Sequence, residues 1–122
     1  MLHFKSPQDL LQLSPEHSAY PIVSDLVQRI IVDYQSEGCT YAPEDDGWIA
    51  LVEPCDLDRS LTDIWPDGGY LTDLLWEGFT RQDGHYVGVY LANNQWGLVV
   101  VVPDAPWING ALRNVIEDNL DP

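Results

Sequence analysis

Between Asp33 and Glu77 the chain carries twelve carboxylates and a single base, Arg59. The densest pieces are Glu44-Asp45-Asp46 and Asp56-Leu57-Asp58. Carboxylates in such a row can hold a divalent cation, act as an acid–base pair, or present a negative field to a basic partner. The calcium option has a direct test in the twelve residues Asp56 to Asp67. An EF-hand loop needs Gly at its sixth position, an apolar residue at its eighth and normally Glu at its twelfth. Here those positions hold Leu61, Asp63 and Asp67. Three mismatches remove the EF-hand, and no other metal ligand set can be named.

Covalent chemistry is poorly provided for. Cys39 and Cys55 would need a histidine and an orienting carboxylate nearby, yet His3, His17 and His85 fall on separate elements. Glu53 and Asp56 flank Cys55, and neighbouring negative charge raises a thiol pKa rather than activating it. Both thiols therefore read as buried and inert, and neither joins a zinc pattern. No phosphate loop, dinucleotide fingerprint or nucleophile elbow occurs, so no cofactor is implied. A glycosidase-like carboxylate pair would need two facing acids that sequence alone does not identify.

What remains is the field itself. One reading is a solvated surface that keeps the protein soluble. The other is an acidic face that steers and docks a basic protein partner, as immunity proteins, antitoxins and DNA mimics do; that analogy rests on charge alone. The second makes the protein a non-enzymatic binder, with Glu44, Asp45, Asp46, Asp56 and Asp58 as partner-binding residues. A competing surface consists of Glu77, Phe79, Arg81, Tyr86 and Tyr90, which alternation places on one face of a sheet. That face is either a second covered layer or a Tyr-rich platform beside a cleft for a small molecule or substrate.

The elements that would position these residues follow from periodicity. Ser6-Pro7-Gln8-Asp9 opens a short helix that must dock Leu10, Leu11 and Leu13. Ile22, Val23, Leu26, Val27, Ile30, Ile31 and Tyr34 form an apolar stripe, predicting a helix from Tyr20 to Gln35. Residues 48–53 read as a strand covered on both faces, and Leu57, Leu61, Ile64 and Trp65 fall at helical spacing.

Asp83-Gly84 and Asn93-Asn94 are two-residue hairpin signals. They predict a three-stranded antiparallel meander over 74–82, 85–92 and 95–102, with Gly88 opposite Phe79 and Gly97 opposite Tyr90. Asp104 is the expected cap of a closing helix carrying Trp107, Ile108, Leu112, Val115 and Ile116. The fold class is thus α+β: N-terminal helices, one early strand, the meander and a C-terminal helix. Two layers are expected, with both long helices on the Trp76/Trp96 face.

The 122 residues suit one acidic domain, 1–122, whose 45% apolar content can fill a core. A net charge of −15 argues against direct binding to nucleic acid or to an anionic membrane. With no apolar leader at the start and no long apolar run, the expected location is cytoplasmic. The oligomeric state is not expressed in the sequence.

Overall fold

The computed structural model describes residues 2–4, 6–32, 48–52, 76–92, 95–108 and 110–120. Strand β1 (Leu2–Phe4) is followed by a 3₁₀ helix (Pro7–Gln12), helix α1 (Tyr20–Leu26) and a π-helical continuation (Val27–Val32). Then come β2 (Trp48–Leu51), β3 (Gly78–Gln82), β4 (His85–Ala92), β5 (Gln95–Pro103) and α2 (Gly110–Asp118). The architecture is α+β around a mixed sheet in the order β1-β2-β5-β4-β3. The β2–β5 pair is parallel and the other three pairs are antiparallel.

Local chemistry accounts for the helix starts. Pro7 occupies the first turn of the 3₁₀ helix, and Asp9 Oδ2 accepts from the Ser6 backbone N–H at 3.0 Å. Leu13 is buried, but Leu11 is exposed, so the three expected leucines do not dock together. A 3₁₀ turn of three residues stacks positions three apart, which puts Leu10 and Leu13 on one side and Leu11 on another. At α1 the ring of His17 substitutes for a cap: its Nδ1 accepts the Ala19 backbone N–H at 3.0 Å. Ile22, Val23, Leu26 and Val27 are buried.

The sheet divides the core in two. On one face Ile49, Leu51, Val87, Val99 and Val101 pack with Phe4 and the α1 residues Ile22 and Val23. On the other, Ala50, Val52, Phe79, Tyr86, Val100 and Val102 pack with Ile108, Leu112 and Ile116. The two long helices therefore cover opposite faces, giving three layers where the sequence predicts two. An amphipathic stripe states that a helix face is buried, not which side of a sheet receives it. Trp76 also changes sides, joining Phe79 with ring centroids 4.9 Å apart. It precedes β3, so strand alternation does not govern it.

The strand pairing shows a second correction. Asp83 and Gly84 adopt φ of 47° and 78°, the left-handed pair that a tight hairpin requires. Gly78 pairs with Val89 and Phe79 with Gly88, the register that this turn predicts. A Cβ on Gly88 would stand 2.6 Å from Phe79 Cζ and 2.7 Å from Cδ1, so the bare backbone makes room for the ring.

Between β4 and β5, Leu91 pairs with Trp96 as expected, but Tyr90 pairs with Leu98. Gly97 is the extra residue, a bulge rather than the partner of Tyr90. A one-residue offset moves the rest of a strand to the opposite face, so Val100 lies across from Gly88 and shares its face with Tyr86.

Two further expectations change. An early strand besides 48–53 exists: β1, with Leu2 opposite Leu51 and Phe4 opposite Ile49. The closing helix starts at Gly110, not beside Asp104. Gly110 has φ of +60°, a left-handed conformation that interrupts a right-handed helix, so residues 104–108 form a separate looped segment. At the far end the Phe79 N–H donates to Asn119 O at 2.9 Å and Leu120 bridges to Phe79, tying the exit of α2 to the outer edge of β3. The expected helical spacing over 54–69 lies outside the described residues.

Candidate functional site

The five acids expected to meet a basic partner, Glu44, Asp45, Asp46, Asp56 and Asp58, lie outside the described residues, as do both cysteines. In the sequence they belong to the two connections on either side of β2, one arriving from the π segment and one leaving toward β3.

The second expected surface is described in large part. Phe79 is fully buried and Tyr86 is 2% exposed, both beneath α2. Glu77 and Arg81 are exposed, and Tyr90 contributes its backbone to β4. Phe79 and Tyr86 belong to a packed layer rather than an open aromatic platform. Glu77 instead borders a hollow of about 240 Å³ on the other side of the sheet, over Val87 and Val89.

The polar feature of the covered layer is the Tyr86 hydroxyl, which accepts from two guanidinium groups. Arg81 Nη2 lies 3.1 Å away and Arg113 Nη1 3.0 Å away. Both guanidiniums also lie over the ring, at 5.2 and 5.7 Å from its centroid. Arg113 reaches further: Nη1 contacts Asp104 Oδ1 at 3.1 Å, Nε donates to Ile108 O at 2.9 Å and Nη2 to Ala105 O at 3.3 Å. Burial opposes the charged form of Arg113, but the hydrogen bonds and charges of Asp104 and Tyr86 outweigh it and raise its pKa above the ordinary value. An arginine suits this work because its planar fork carries five donors in fixed directions. Chemically the cluster is a clamp, since it contains no nucleophile and no base aimed at one.

The clamp holds the wall of a groove. Arg113 bonds the carbonyls on both sides of Trp107, at Ala105 and Ile108. Trp107 and Pro103 form one wall of a cavity of about 510 Å³. Leu13, Leu51 and Val52 contribute its apolar surface, and Gln12, Ser14, His17 and Ser18 supply polar groups from the N-terminal segment. Volume and mixed lining fall in the range of small-molecule sites. Although 20% of the chain is Asp, Glu, Lys or Arg, no charged residue of those types lines this cavity among the described residues.

The groove has no signature in the sequence. Its residues come from three stretches of the chain, 2–18, 51–52 and 103–107, and no periodicity or motif joins them. The only local trace is punctuation, Ser14-Pro15 and Pro103-Asp104-Ala105-Pro106, which marks a loop in two of these stretches. Among the described residues no cluster of His, Cys, Asp and Glu could hold a metal ion, and no helix is long and apolar enough to cross a membrane. Comparison with protein-family models, curated proteins and solved structures gives no match for this chain.

Proposed function

We propose that this protein is a non-enzymatic acidic binder whose partner is a basic protein, engaged through Glu44, Asp45, Asp46, Asp56 and Asp58. The observation that supports the reading is where the positive charge goes. The chain has five Lys and Arg against twenty Asp and Glu. Of the arginines among the described residues, Arg29 pairs with Asp25 at 2.9 Å, Arg113 pairs with Asp104, and Arg81 contacts Tyr86. Each is engaged by a group outside the acidic stretch, within which Arg59 is the sole base. Carboxylates within roughly 8–10 Å of one another repel at physiological ionic strength. A basic partner relieves that repulsion, and its approach is accelerated by the same field.

The test is retention of basic proteins from the source cell's lysate on the tagged full-length chain, at low and then high salt. A salt-released basic protein is expected, with binding to it then measured for the purified pair. The variant E44Q/D45N/D46N/D56N/D58N should keep the native circular dichroism spectrum, lose at least tenfold in affinity and respond less steeply to salt. Unchanged affinity in that variant rejects the acidic-face assignment.

A further inference from the structure

We infer that the groove between the 12–18 segment and the 103–107 loop binds a small, uncharged, planar ligand carrying a carboxamide or an equivalent acceptor–donor pair. The inference is independent of the acidic face and rests on how the groove's polar groups are already committed.

Gln12 uses its side-chain amide nitrogen twice, donating to His3 O at 3.0 Å and to Asp9 O at 3.1 Å. Both amide hydrogens are thereby engaged, and Oε1 is left as an acceptor. Ser14 Oγ accepts the Glu16 N–H at 3.2 Å, which leaves the hydroxyl hydrogen to donate elsewhere. His17 Nδ1 accepts from Ala19 N, so the neutral ring carries its hydrogen on Nε2, a second donor. Gln12, Ser14 and His17 all line one cavity, and the bonds they already make leave one acceptor and two donors among them. A carboxamide is the complement of that set: its carbonyl accepts from Ser14 or His17, and its N–H donates to Gln12 Oε1.

The rest of the groove selects the body and the charge of the ligand. Trp107 lines the groove together with the aliphatic Leu13, Leu51 and Val52, a combination suited to a flat apolar ring. Among the described residues no Asp, Glu, Lys or Arg lines the groove, so none of them offers a counter-charge to a carboxylate or an ammonium there. The net charge of −15 weighs further against an anion. An uncharged aromatic amide satisfies all of these conditions, and Arg113 keeps the Trp107 wall in place by bonding the carbonyls on either side of it.

Benzamide is the probe, with benzoate, benzamidinium and toluene as near-isosteric controls. Each is titrated into the ¹⁵N-labelled full chain, following the Trp107 indole and the backbone amides of residues 12–18. Benzamide should give saturable shifts at those signals with a dissociation constant on the order of 1 mM, as expected for so small a ligand. The three controls should bind at least tenfold more weakly. Combining Ser14→Ala with His17→Phe should weaken benzamide by about tenfold while amide signals of the sheet remain unmoved. Absence of saturable shifts, equal binding of any control, or full affinity in the double variant overturns the inference. Because benzamide is uncharged, its affinity should not change with salt, so this result is separable from the fate of the acidic-face proposal.

Discussion

The two faces of the sheet are built on different principles. The face under α1 is built mainly of aliphatic side chains, with Phe4 as its fully buried ring: Ile22, Val23, Ile49, Leu51, Val99 and Val101 meet by shape and volume. The face under α2 buries three aromatic residues, Trp76, Phe79 and Tyr86, and each has a neighbour that fixes its placement. Phe79 covers the bare backbone of Gly88, Trp76 stacks at a tilt against Phe79, and two arginines converge on the Tyr86 hydroxyl. An aliphatic layer tolerates rearrangement if total volume is kept, whereas directed contacts specify one arrangement. The molecule thus obtains bulk stabilisation from one face and orientation from the other.

Substitutions can break this contrast, beginning with the largest effect. Phe79→Ala should cost about 3–5 kcal/mol in denaturant unfolding, because a fully buried ring leaves a cavity and uncovers Gly88. Gly88→Ala should cost about 1–3 kcal/mol by forcing a Cβ into that ring. In the Phe79→Ala background the same change should cost far less, since the obstacle is gone. Additive effects in that cycle would show that the ring and the glycine are not coupled.

Tyr86→Phe removes a single oxygen from the α2 face and should cost about 1–2 kcal/mol, as both guanidiniums lose their shared acceptor. Most of that loss should vanish when Arg81 and Arg113 are already alanine. On the α1 face, Ile49→Val should cost about 0.5–1.5 kcal/mol and Ile49→Leu a similar amount, with no comparable coupling to any polar group. Coupling of equal size at Ile49 and at Tyr86 would erase the distinction between the faces. Smallest of all, Asp25→Asn breaks the exposed pair with Arg29, four residues along the same helix, and should change stability by less than about 0.5 kcal/mol.

How much of this was legible in the sequence depended on whether the signal was local. The Asp83-Gly84 turn and the Gly88–Phe79 match fixed β3 against β4, because two residues set the register of all that follows. The same logic failed one hairpin later, where Gly97 enters as a bulge. A glycine opposite an aromatic and a glycine in a bulge look alike in a sequence. That one residue reversed the faces of Val99 to Val102, and with them the assignment of layers. Leu2-His3-Phe4 is too short to show alternation, so β1 gave no signal. Of the candidate site, Phe79 and Tyr86 were correctly placed on one face. Their covering by α2 was not legible, because it depends on which side of the sheet a distant helix takes. The groove was illegible for a similar reason: His17 and Trp107 meet only through tertiary structure.

The position of β5 has a consequence for the order in which the chain assembles. Its pairing with β4 joins Ala92 to Gln95, three positions apart, whereas its pairing with β2 joins Trp48 to Leu98, fifty positions apart. Each doubling of a loop adds about 0.6 kcal/mol of closure entropy, so the second pairing starts roughly 2.5–3 kcal/mol behind the first. The hairpins of the C-terminal half can therefore form a template on which β1, α1 and β2 dock last. Lesions in the β4–β5 hairpin should slow folding, while lesions in α1 or β2 should mainly hasten unfolding. The central strand is then a clock as well as a scaffold, since the neighbour it acquires early is near in sequence and the one it acquires late is far.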